Sequence, residues 1–412
     1  MNSTSAPDST CTITSSQSIH SQAGHGAAHD ASTYQFPHSS IYTENMARQD
    51  SREKRRRIEA TPPNSELAGT SSDASHISAA SPTALEEAEA AAAAAALAPP
   101  IDYDHGADSA SLTSSIRQHN YEYGLRYHGY RPGLYSFPND EAEQERDVVM
   151  HELSIRFWEE RYFLAPVEKQ LEMRAQVLDL ATGIGIWCEQ MADKYPLSSF
   201  EGIDLSPIQS AEVPPNVRFY VDDMEHEQGW NVDGNKFDFI HLRHTLHSVR
   251  NMPELFRRAY EHLKPGGYFE VQEVECIVRC DDGTVKPGHE YALRTWLDAV
   301  ASGLRTRCGS DLRAISYATA EMRAAGFEVE EHCRKCPVGT WAADERRRVC
   351  GGLLAESLIA GIWGLSARPL AAIGWTRPQI EMLLVTVRDH VRDPRNHAYM
   401  NFFTIYGRKP LE

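Results

Sequence analysis

The stretch VLDLATGIGIW, residues 177–187, restricts the fold of this chain more than any other part of the sequence. It reads as an apolar strand that ends in an acid, then a glycine-containing turn, then the first residues of a helix. A second apolar strand, residues 200–204, also ends in an acid. This pairing is typical of parallel α/β sheets that bind a nucleoside-containing cofactor, because glycines let the backbone approach the ligand and the second acid accepts hydrogen bonds from the ribose.

Composition divides the 412 residues into two parts. Residues 1–115 are rich in Ser, Thr, Ala, Pro and His and contain few large apolar side chains, so we predict a disordered tail. Residues 116–412 contain all seven tryptophans and nearly every apolar run, which predicts one folded domain. Within it we expect a helical entry segment (116–175), a cofactor-binding core (176–275), and C-terminal helices and closing strands (276–412).

Strand and helix patterns alternate through the core, which predicts an α/β fold with a parallel sheet covered by helices on both faces. An amphipathic helix from Glu141, capped by Asn139 or Asp140, is expected to lie across one face and help to close the cofactor pocket. Helices are predicted at residues 186–194, 252–263 (ended by the Lys-Pro-Gly-Gly signal at 264–267) and 314–325. Strands are predicted at residues 176–180, 200–204, 217–221, 237–242, 268–274, 327–332 and 402–408.

The acid at the end of the first strand distinguishes between cofactors. A dinucleotide places its pyrophosphate at the helix N-terminus, and Asp179 would repel that group. A ligand with an ammonium group suits this position, and S-adenosylmethionine carries an ammonium and a sulfonium but no phosphate. The spacing of Asp179, Gly183 and Gly185 therefore predicts S-adenosylmethionine as the cofactor, with NAD disfavoured.

The next strand tips extend this site. Asp204 ends the second strand, where an acceptor for the ribose diol is expected. Asp222 and Asp223 close the third strand; either can accept from the adenine amine, and Asp223 is favoured, with Met224 as an apolar cover. His244 or His247, after the fourth strand, is a candidate general base. Methyl transfer depends mainly on alignment and water exclusion, so the catalytic residues stay unknown.

Charge and cysteine content limit the partners. The formal net charge is −17 and the folded part lacks a basic face, so we expect no direct nucleic-acid binding. No run is long and apolar enough to predict a membrane span or a signal peptide, and a soluble protein is expected. A four-thiolate zinc site from Cys276, Cys280, Cys333 and Cys336 is disfavoured by spacing, and free thiols in a reducing compartment are expected instead.

A basic run in the tail comprises Lys54, Arg55, Arg56 and Arg57. Its bland interpretation is a solvated charge cluster. Because it is flanked by polar sequence in a predicted disordered region, it is better explained as a nuclear localisation signal that an import receptor binds.

Several motifs together carry a family resemblance: VLDLATGIGIW, FEGIDLSPIQ, VRFYVDDMEHEQGW, FDFIHLR and LKPGGYFEVQE. With the entry segment YGLRYHGYRPGLYSFPNDEAEQERDVVMHEL and the C-terminal GWTRPQIEMLLVTVRDHVRDPRNHAYMNFFTIYGRKP, the chain resembles class I S-adenosylmethionine-dependent methyltransferases of the fungal LaeA type over residues 120–410. The resemblance implies a Rossmann-like sheet, mostly parallel with an antiparallel C-terminal strand. One departure is Ala181, where family members usually have glycine. The implied cofactor-binding residues are Asp179, Ala181, Thr182, Gly183, Gly185, Trp187, Asp204, Leu205, Asp222, Asp223 and Met224.

The resemblance also implies a function: a subunit of the velvet complex that binds velvet-family proteins and regulates secondary-metabolite genes and development from the nucleus, with possible exchange with the cytoplasm. The run Lys54–Arg57 fits that localisation. Two alternatives stay open at this point. One is a cytosolic methyltransferase that modifies a small molecule, and the other is a scaffold that binds the cofactor but has lost transfer.

Overall fold

The computed structural model describes residues 119–230 and 234–411. The predicted tail (1–115) and its basic run lie outside the described residues. The described part begins with a short antiparallel hairpin, β1 (Asn120–Glu122) and β2 (Leu125–Tyr127). A seven-stranded sheet follows, with the order β5-β4-β3-β6-β7-β9-β8. Its strands are β3 (Gln176–Leu180), β4 (Ser199–Asp204), β5 (Val217–Val221), β6 (Phe237–Arg243), β7 (Leu263–Arg279), β8 (Glu328–Pro337) and β9 (Tyr399–Arg408).

Strands β3 to β7 run parallel, and the C-terminal β9 pairs antiparallel with both β7 and β8. This topology confirms the predicted fold class. The helices are α1 (Glu141–Phe157), α2 (Glu168–Glu172), α3 (Ile186–Lys194), α4 (Met252–His262), α5 (Ala292–Cys308), α6 (Ile315–Ala324), α7 (Glu345–Ala360), α8 (Ala367–Ala372) and α9 (Arg377–Arg392).

Helices cover both faces of the sheet. Successive residues of the buried strands therefore point alternately into two apolar clusters, one on each face. Val177 and Phe239 belong to one apolar cluster, which also contains residues of α1, α3, α5, α7 and α9. Leu178 and Ile240 belong to the other, with residues of α4 and α6. The central strands are therefore buried on both sides, as expected for a parallel sheet.

The strands β7 and β9 are longer than the sequence predicted. Their pairing runs from Tyr268 opposite Arg408 to Arg279 opposite Tyr399, which extends both beyond the apolar stretches used for the prediction. Helix α4 ends at His262, and the predicted stop signal 264–267 lies within β7. There the register with β6 shifts between Phe237 and Phe239, so the Pro-Gly-Gly segment forms an irregularity in the strand.

Helix α1 begins where predicted, and the Asp140 carboxylate caps it by accepting from the backbone N–H of Glu143. Its expected amphipathic pattern is wrong. Residues 150–155 are all buried, including His151, Glu152 and Ser154, because one side packs on the core and the other on the functional site described below. Within the described ranges no single helix is long and apolar enough to cross a membrane; the bent pair Glu345–Ala360 and Gly364–Ala372 passes by length and composition only when taken together.

Candidate active site

A cavity opens at the carboxyl ends of β3 to β6, where Asp179, Asp204 and Arg243 lie near strand tips. It contains about 1270 Å³ of empty space, part of it open to solvent. The segment 134–147, which includes the first turns of α1, forms the opposite wall. The predicted role of α1 in closing the pocket is thus confirmed. Ten of the predicted cofactor residues line the cavity: Asp179, Ala181, Thr182, Gly183, Trp187, Asp204, Leu205, Asp222, Asp223 and Met224.

Gly185 is the predicted cofactor residue that does not line the cavity. It precedes α3 in a left-handed conformation, with φ of 85°. A β-carbon there would lie 2.3 Å from Cζ of Phe219, so glycine is required for packing of the turn against the sheet. Packing against Phe219 is thus a separate reason for this glycine, and its predicted contact with the ligand stays a prediction.

Gly183 has the role that was predicted for both glycines. Its φ is 57°, and a β-carbon would project toward Asp147, 2.8 Å from Oδ2. Since Gly183 and Asp147 both line the cavity, the missing side chain keeps space open between the turn and α1. Ala181 has φ of 51°, in the region that favours glycine. This backbone conformation explains why family members usually have glycine at this position.

Asp179 is more fully engaged by the protein than the sequence suggested. Its side chain is buried and accepts from Thr182 Oγ1 at 2.6 Å and from His241 Nδ1 at 2.7 Å. The His241 ring stacks on Trp187, with 3.9 Å between ring centroids. Each carboxylate oxygen of Asp179 therefore already accepts one short hydrogen bond, through which this acid holds the turn and the His241 ring that stacks on Trp187; its contact with a ligand ammonium stays a prediction.

Asp204 also accepts from the turn. Its two oxygens receive the backbone N–H groups of Gly183 at 2.9 Å and Ser206 at 2.8 Å. Burial raises the pKa of this carboxyl to about 7, against the opposing effect of the two donors. Each oxygen keeps a free lone pair, so the predicted contact with a ribose diol is chemically available.

The two acids after β5 differ in their contacts. Asp223 is buried and accepts from Arg131 Nη1 at 2.9 Å and from the backbone N–H of Glu225 at 2.8 Å. Asp222 is partly exposed in the cavity wall. Both are within the same wall, so the choice between them for the adenine amine stays a prediction.

The candidate general bases are separated by the structure. His247 lies outside the cavity wall and contacts Glu273 Oε2 through Nδ1 at 3.2 Å. His244 lines the cavity, but its Nε2 lies 2.7 Å from Ser154 Oγ and its Nδ1 is buried, 3.8 Å from Glu273 Oε1. Burial lowers the pKa of His244. Neither ring is arranged to take a proton from a molecule in the cavity.

Two site residues were missed by the sequence analysis. Asp147 of α1 and Arg243 at the end of β6 both line the cavity. The signal for the first is a polar series at helical spacing, Glu143, Asp147, His151 and Ser154. The signal for Arg243 is its position directly after the predicted strand 237–242, at the lip of the predicted cofactor site.

The cysteines considered for zinc lie on strands, Cys276 in β7 and Cys333 and Cys336 in β8, and Cys280 just after β7. All are free thiols, and burial raises the pKa of Cys276 to about 12, which disfavours the thiolate that zinc requires. No cluster of three or more potential metal ligands occurs in the part of the chain that the structure describes.

These residues fit S-adenosylmethionine. The cradle is kept open by Gly183, carboxylates at two successive strand tips can accept from hydroxyl and amine groups, and a buried Arg243 nitrogen without a hydrogen-bond partner is available for an anionic group. The cavity wall offers no cluster of cations for a pyrophosphate: of its two arginines, Arg146 is already bound to Glu143.

Comparison with known proteins gives the same answer. Residues 152–332 match the family described as "Methyltransferase domain". The methyltransferase pytC of Aspergillus terreus is 36% identical over 76% of this chain and 94% of that protein. The secondary metabolism regulator LAE1 of Cochliobolus heterostrophus is 33% identical over 74% of this chain and 99% of that protein. The protein-methionine methyltransferase laeA of Emericella nidulans is 33% identical over 73% of this chain and 79% of that protein. Together with the sheet topology and the cavity, these relatives establish that the chain belongs to the LaeA-type class I S-adenosylmethionine-dependent methyltransferases.

Proposed function

We propose that this methyltransferase is a regulator of secondary metabolism that acts in the nucleus together with velvet-family proteins. The observation that carries the proposal is the similarity to LAE1 and laeA, both named as secondary metabolism regulators, over nearly three quarters of the chain. The basic run Lys54–Arg57 supports import through a nuclear import receptor. With a net charge of −17, the protein is better suited to act through protein partners than by direct contact with DNA.

The site supports transfer by alignment rather than by acid–base chemistry. S-adenosylmethionine supplies an electrophilic methyl group on a sulfonium. The strand tips and the Gly183 turn would fix the adenosyl part, and α1 would exclude water from above. Correct alignment alone contributes roughly 7–11 kcal/mol to such a displacement, so an essential base is unnecessary.

The acceptor that best suits this wall is a neutral sulfur nucleophile on a protein. The Emericella nidulans relative is named a protein-methionine methyltransferase. A thioether has no proton to lose, which agrees with a cavity wall in which His244 has one ring nitrogen in a side-chain contact and the other buried, and in which His241 is bound to Asp179. We therefore favour a protein methionine as the methyl acceptor.

The test is genetic complementation with an inactive variant. Deletion of the gene should change the levels of many secondary metabolites at once, and wild-type protein should restore them. Asp204→Ala, which removes the carboxylate that holds the turn, should fail to restore them although the protein accumulates. Complete rescue by this variant would contradict a role for methyl transfer in regulation.

Localisation is tested separately. Full-length protein fused to a fluorescent reporter should concentrate in the nucleus, and replacement of Lys54–Arg57 by alanine should abolish that accumulation. Affinity purification of both fusions should recover velvet-family proteins with the wild type. A uniform cytoplasmic signal from the wild type would contradict the proposal that the protein is a nuclear regulator.

A second candidate function is a methyltransferase that modifies one small metabolite in the cytosol. The similarity to pytC favours this function, because that protein is 36% identical and is named only as a methyltransferase. The complementation experiment separates the two candidates, because loss of a biosynthetic enzyme should remove one metabolite family and cause its unmethylated precursor to accumulate.

A further inference from the structure

Two opposite charges, Asp147 and Arg243, face the cavity without a direct ion pair to any described residue. Most of the acids in its wall accept hydrogen bonds: Asp179 from Thr182 and His241, Asp204 from two backbone N–H groups, and Asp223 from Arg131. Asp147 is different. It lines the cavity beside the Gly183 turn, and among the described residues its carboxylate makes no hydrogen bond or ion pair within 4.0 Å.

Arg243 is the corresponding cation. Of the two arginines in the cavity wall, Arg146 forms a forked pair with Glu143. Arg243 has no carboxylate within 4.0 Å in the described part of the chain, and its Nη1 is buried without a hydrogen-bond partner. Retaining a largely buried guanidinium with no anion beside it costs free energy unless a ligand supplies that anion.

The position of Arg243 is fixed by neutral groups. Its Nη2 donates to His151 Nδ1 at 2.6 Å, so His151 Nε2 carries the proton and donates to Gln190 Oε1 at 2.9 Å. Burial and the neighbouring Arg243 lower the pKa of His151 well below its usual range, so this histidine stays neutral and accepts. The guanidinium is therefore positioned by a neutral partner, and the attraction that its charge gains from the protein comes from acids beyond ion-pair distance, first Asp179 and then Asp147.

We propose that Arg243 and Asp147 bind the two ends of the cofactor's amino acid group, Arg243 its carboxylate and Asp147 its ammonium. An α-amino acid carries both charges on one carbon, and one unpaired cation with one unpaired anion in the same cavity is complementary to it. Asp179, which the sequence suggested for the ammonium, already accepts a side-chain hydrogen bond at each oxygen, whereas Asp147 accepts none in the described part of the chain. The inference rests on the cavity binding S-adenosylmethionine, and it adds a part of α1 to the cofactor site.

The same charges could instead bind an acceptor that carries a carboxylate, so the experiment uses two cofactor-derived probes. S-adenosylhomocysteine contains the amino acid group, whereas 5′-methylthioadenosine has the same adenosyl thioether without it. Binding of both is measured by calorimetry with full-length protein. Wild type should bind S-adenosylhomocysteine at least about tenfold more tightly, since charge-assisted hydrogen bonds are lost with the truncated probe.

Arg243→Met and Asp147→Asn should each lower the affinity for S-adenosylhomocysteine about tenfold or more and leave that for 5′-methylthioadenosine nearly unchanged. Arg131→Met is the matched control: its arginine pairs with Asp223 near the predicted adenine site, so any loss should affect both probes equally. Arg243→Lys keeps the charge and should recover part of the selectivity.

Four results separate the possibilities. Equal losses for both probes in Arg243→Met would overturn the proposal. Should that variant fail to fold, similar affinities of the wild type for the two probes would overturn it without any mutant. If neither probe binds the wild type, the cofactor site itself is misplaced, which is a different failure. Unchanged selectivity with a raised KM for the acceptor would assign Arg243 to the acceptor instead.

Discussion

The two walls of the cofactor cavity differ in how far apart in the sequence their contacting residues lie. The turn wall consists of residues 179–187 and the tips of β4 and β5, and it is held by short-range contacts such as Thr182 to Asp179. The helix wall consists of the segment 134–147 together with Arg243 and His244, which contact His151 and Ser154 of α1. Its contacts join distant parts of the chain: Arg243 to His151 spans 92 positions, and Ser154 to His244 spans 90.

This difference separates two requirements of the site, a stable backbone turn and charged groups that can bind a ligand. In the turn wall the backbone conformation is fixed and most polar groups are satisfied, so substitutions there should lower stability, and those at positions that face the cavity should weaken cofactor binding as well. In the helix wall, charged groups are left for a ligand, so substitutions there should change binding with a smaller effect on stability. The predictions that follow test this contrast, beginning with the largest expected effect.

Gly185→Ala should be the most damaging change in the turn wall. The new β-carbon would lie 2.3 Å from Phe219 Cζ, and φ of 85° is unfavourable for alanine. Strain and overpacking together should lower the free energy of unfolding by about 3 kcal/mol or more, measured by urea denaturation. Gly374→Ala is the control, because φ is again 85° but no atom lies within 4 Å of the new carbon. Its loss should be about 1 kcal/mol; equal losses would show that the Phe219 contact is unimportant.

Gly183→Ala should affect binding more than stability. Its new methyl group would lie 2.8 Å from Asp147 Oδ2, the end of a side chain that can move aside. We expect a stability loss of about 1 kcal/mol from the left-handed backbone, but at least a tenfold loss in S-adenosylhomocysteine affinity because the cradle is narrowed. Calorimetry and urea denaturation on the same samples give both values. A large stability loss with unchanged affinity would place Gly183 with Gly185 as a packing glycine.

The turn wall was predictable because its signals are local. A strand, an acid and glycines within eleven residues fixed the order of elements, and helix α3 was predicted at its observed bounds. The helix wall could not be found in this way, since periodicity identifies the face of a helix but not the partner it meets. Gly185 shows a second limit of prediction from local sequence. Glycine is required there by the ring of Phe219, which lies on strand β5 and not in the turn.

Strand β7 shows a further limit of local signals, at a residue inside its predicted part. It contains Glu270, which is fully buried and would ordinarily signal a loop or an exposed edge. Its carboxylate accepts the backbone N–H groups of Leu164 and Ala165, so a distant segment satisfies it. Burial raises the pKa of Glu270, and only the folded chain shows why an acid is tolerated there.

The pKa of Asp204 predicts opposite pH trends for binding and stability. Its folded value of about 7 exceeds the ordinary 3.8, so the stability that this group contributes below about pH 4 is lost as pH rises through 7. If the ionised carboxylate accepts from the ribose, S-adenosylhomocysteine affinity should instead rise about tenfold between pH 6 and 8. Burial lowers the pKa values of both His151 and His244, which moves their titration toward lower pH than this range.

Calorimetry at several pH values, with thermal unfolding in parallel, measures both trends. Asp204→Asn removes the titration and should give weaker binding that no longer changes between pH 6 and 8. The same pH dependence in wild type and variant would show that another group controls binding.

The smallest expected effect concerns Ala181. With φ of 51°, its alanine is strained relative to glycine, and Ala181→Gly should relieve about 1 kcal/mol. The greater entropy of glycine in the unfolded chain offsets roughly half of that, so the free energy of unfolding should rise by about 0.5 kcal/mol. Ala192→Gly, in the interior of α3, should change stability in the opposite direction by about 1 kcal/mol. Because Ala181 belongs to the turn wall, relief of its backbone strain should raise the affinities for S-adenosylhomocysteine and 5′-methylthioadenosine equally. A gain confined to S-adenosylhomocysteine would instead connect this residue to the amino acid group and remove the distinction between the walls.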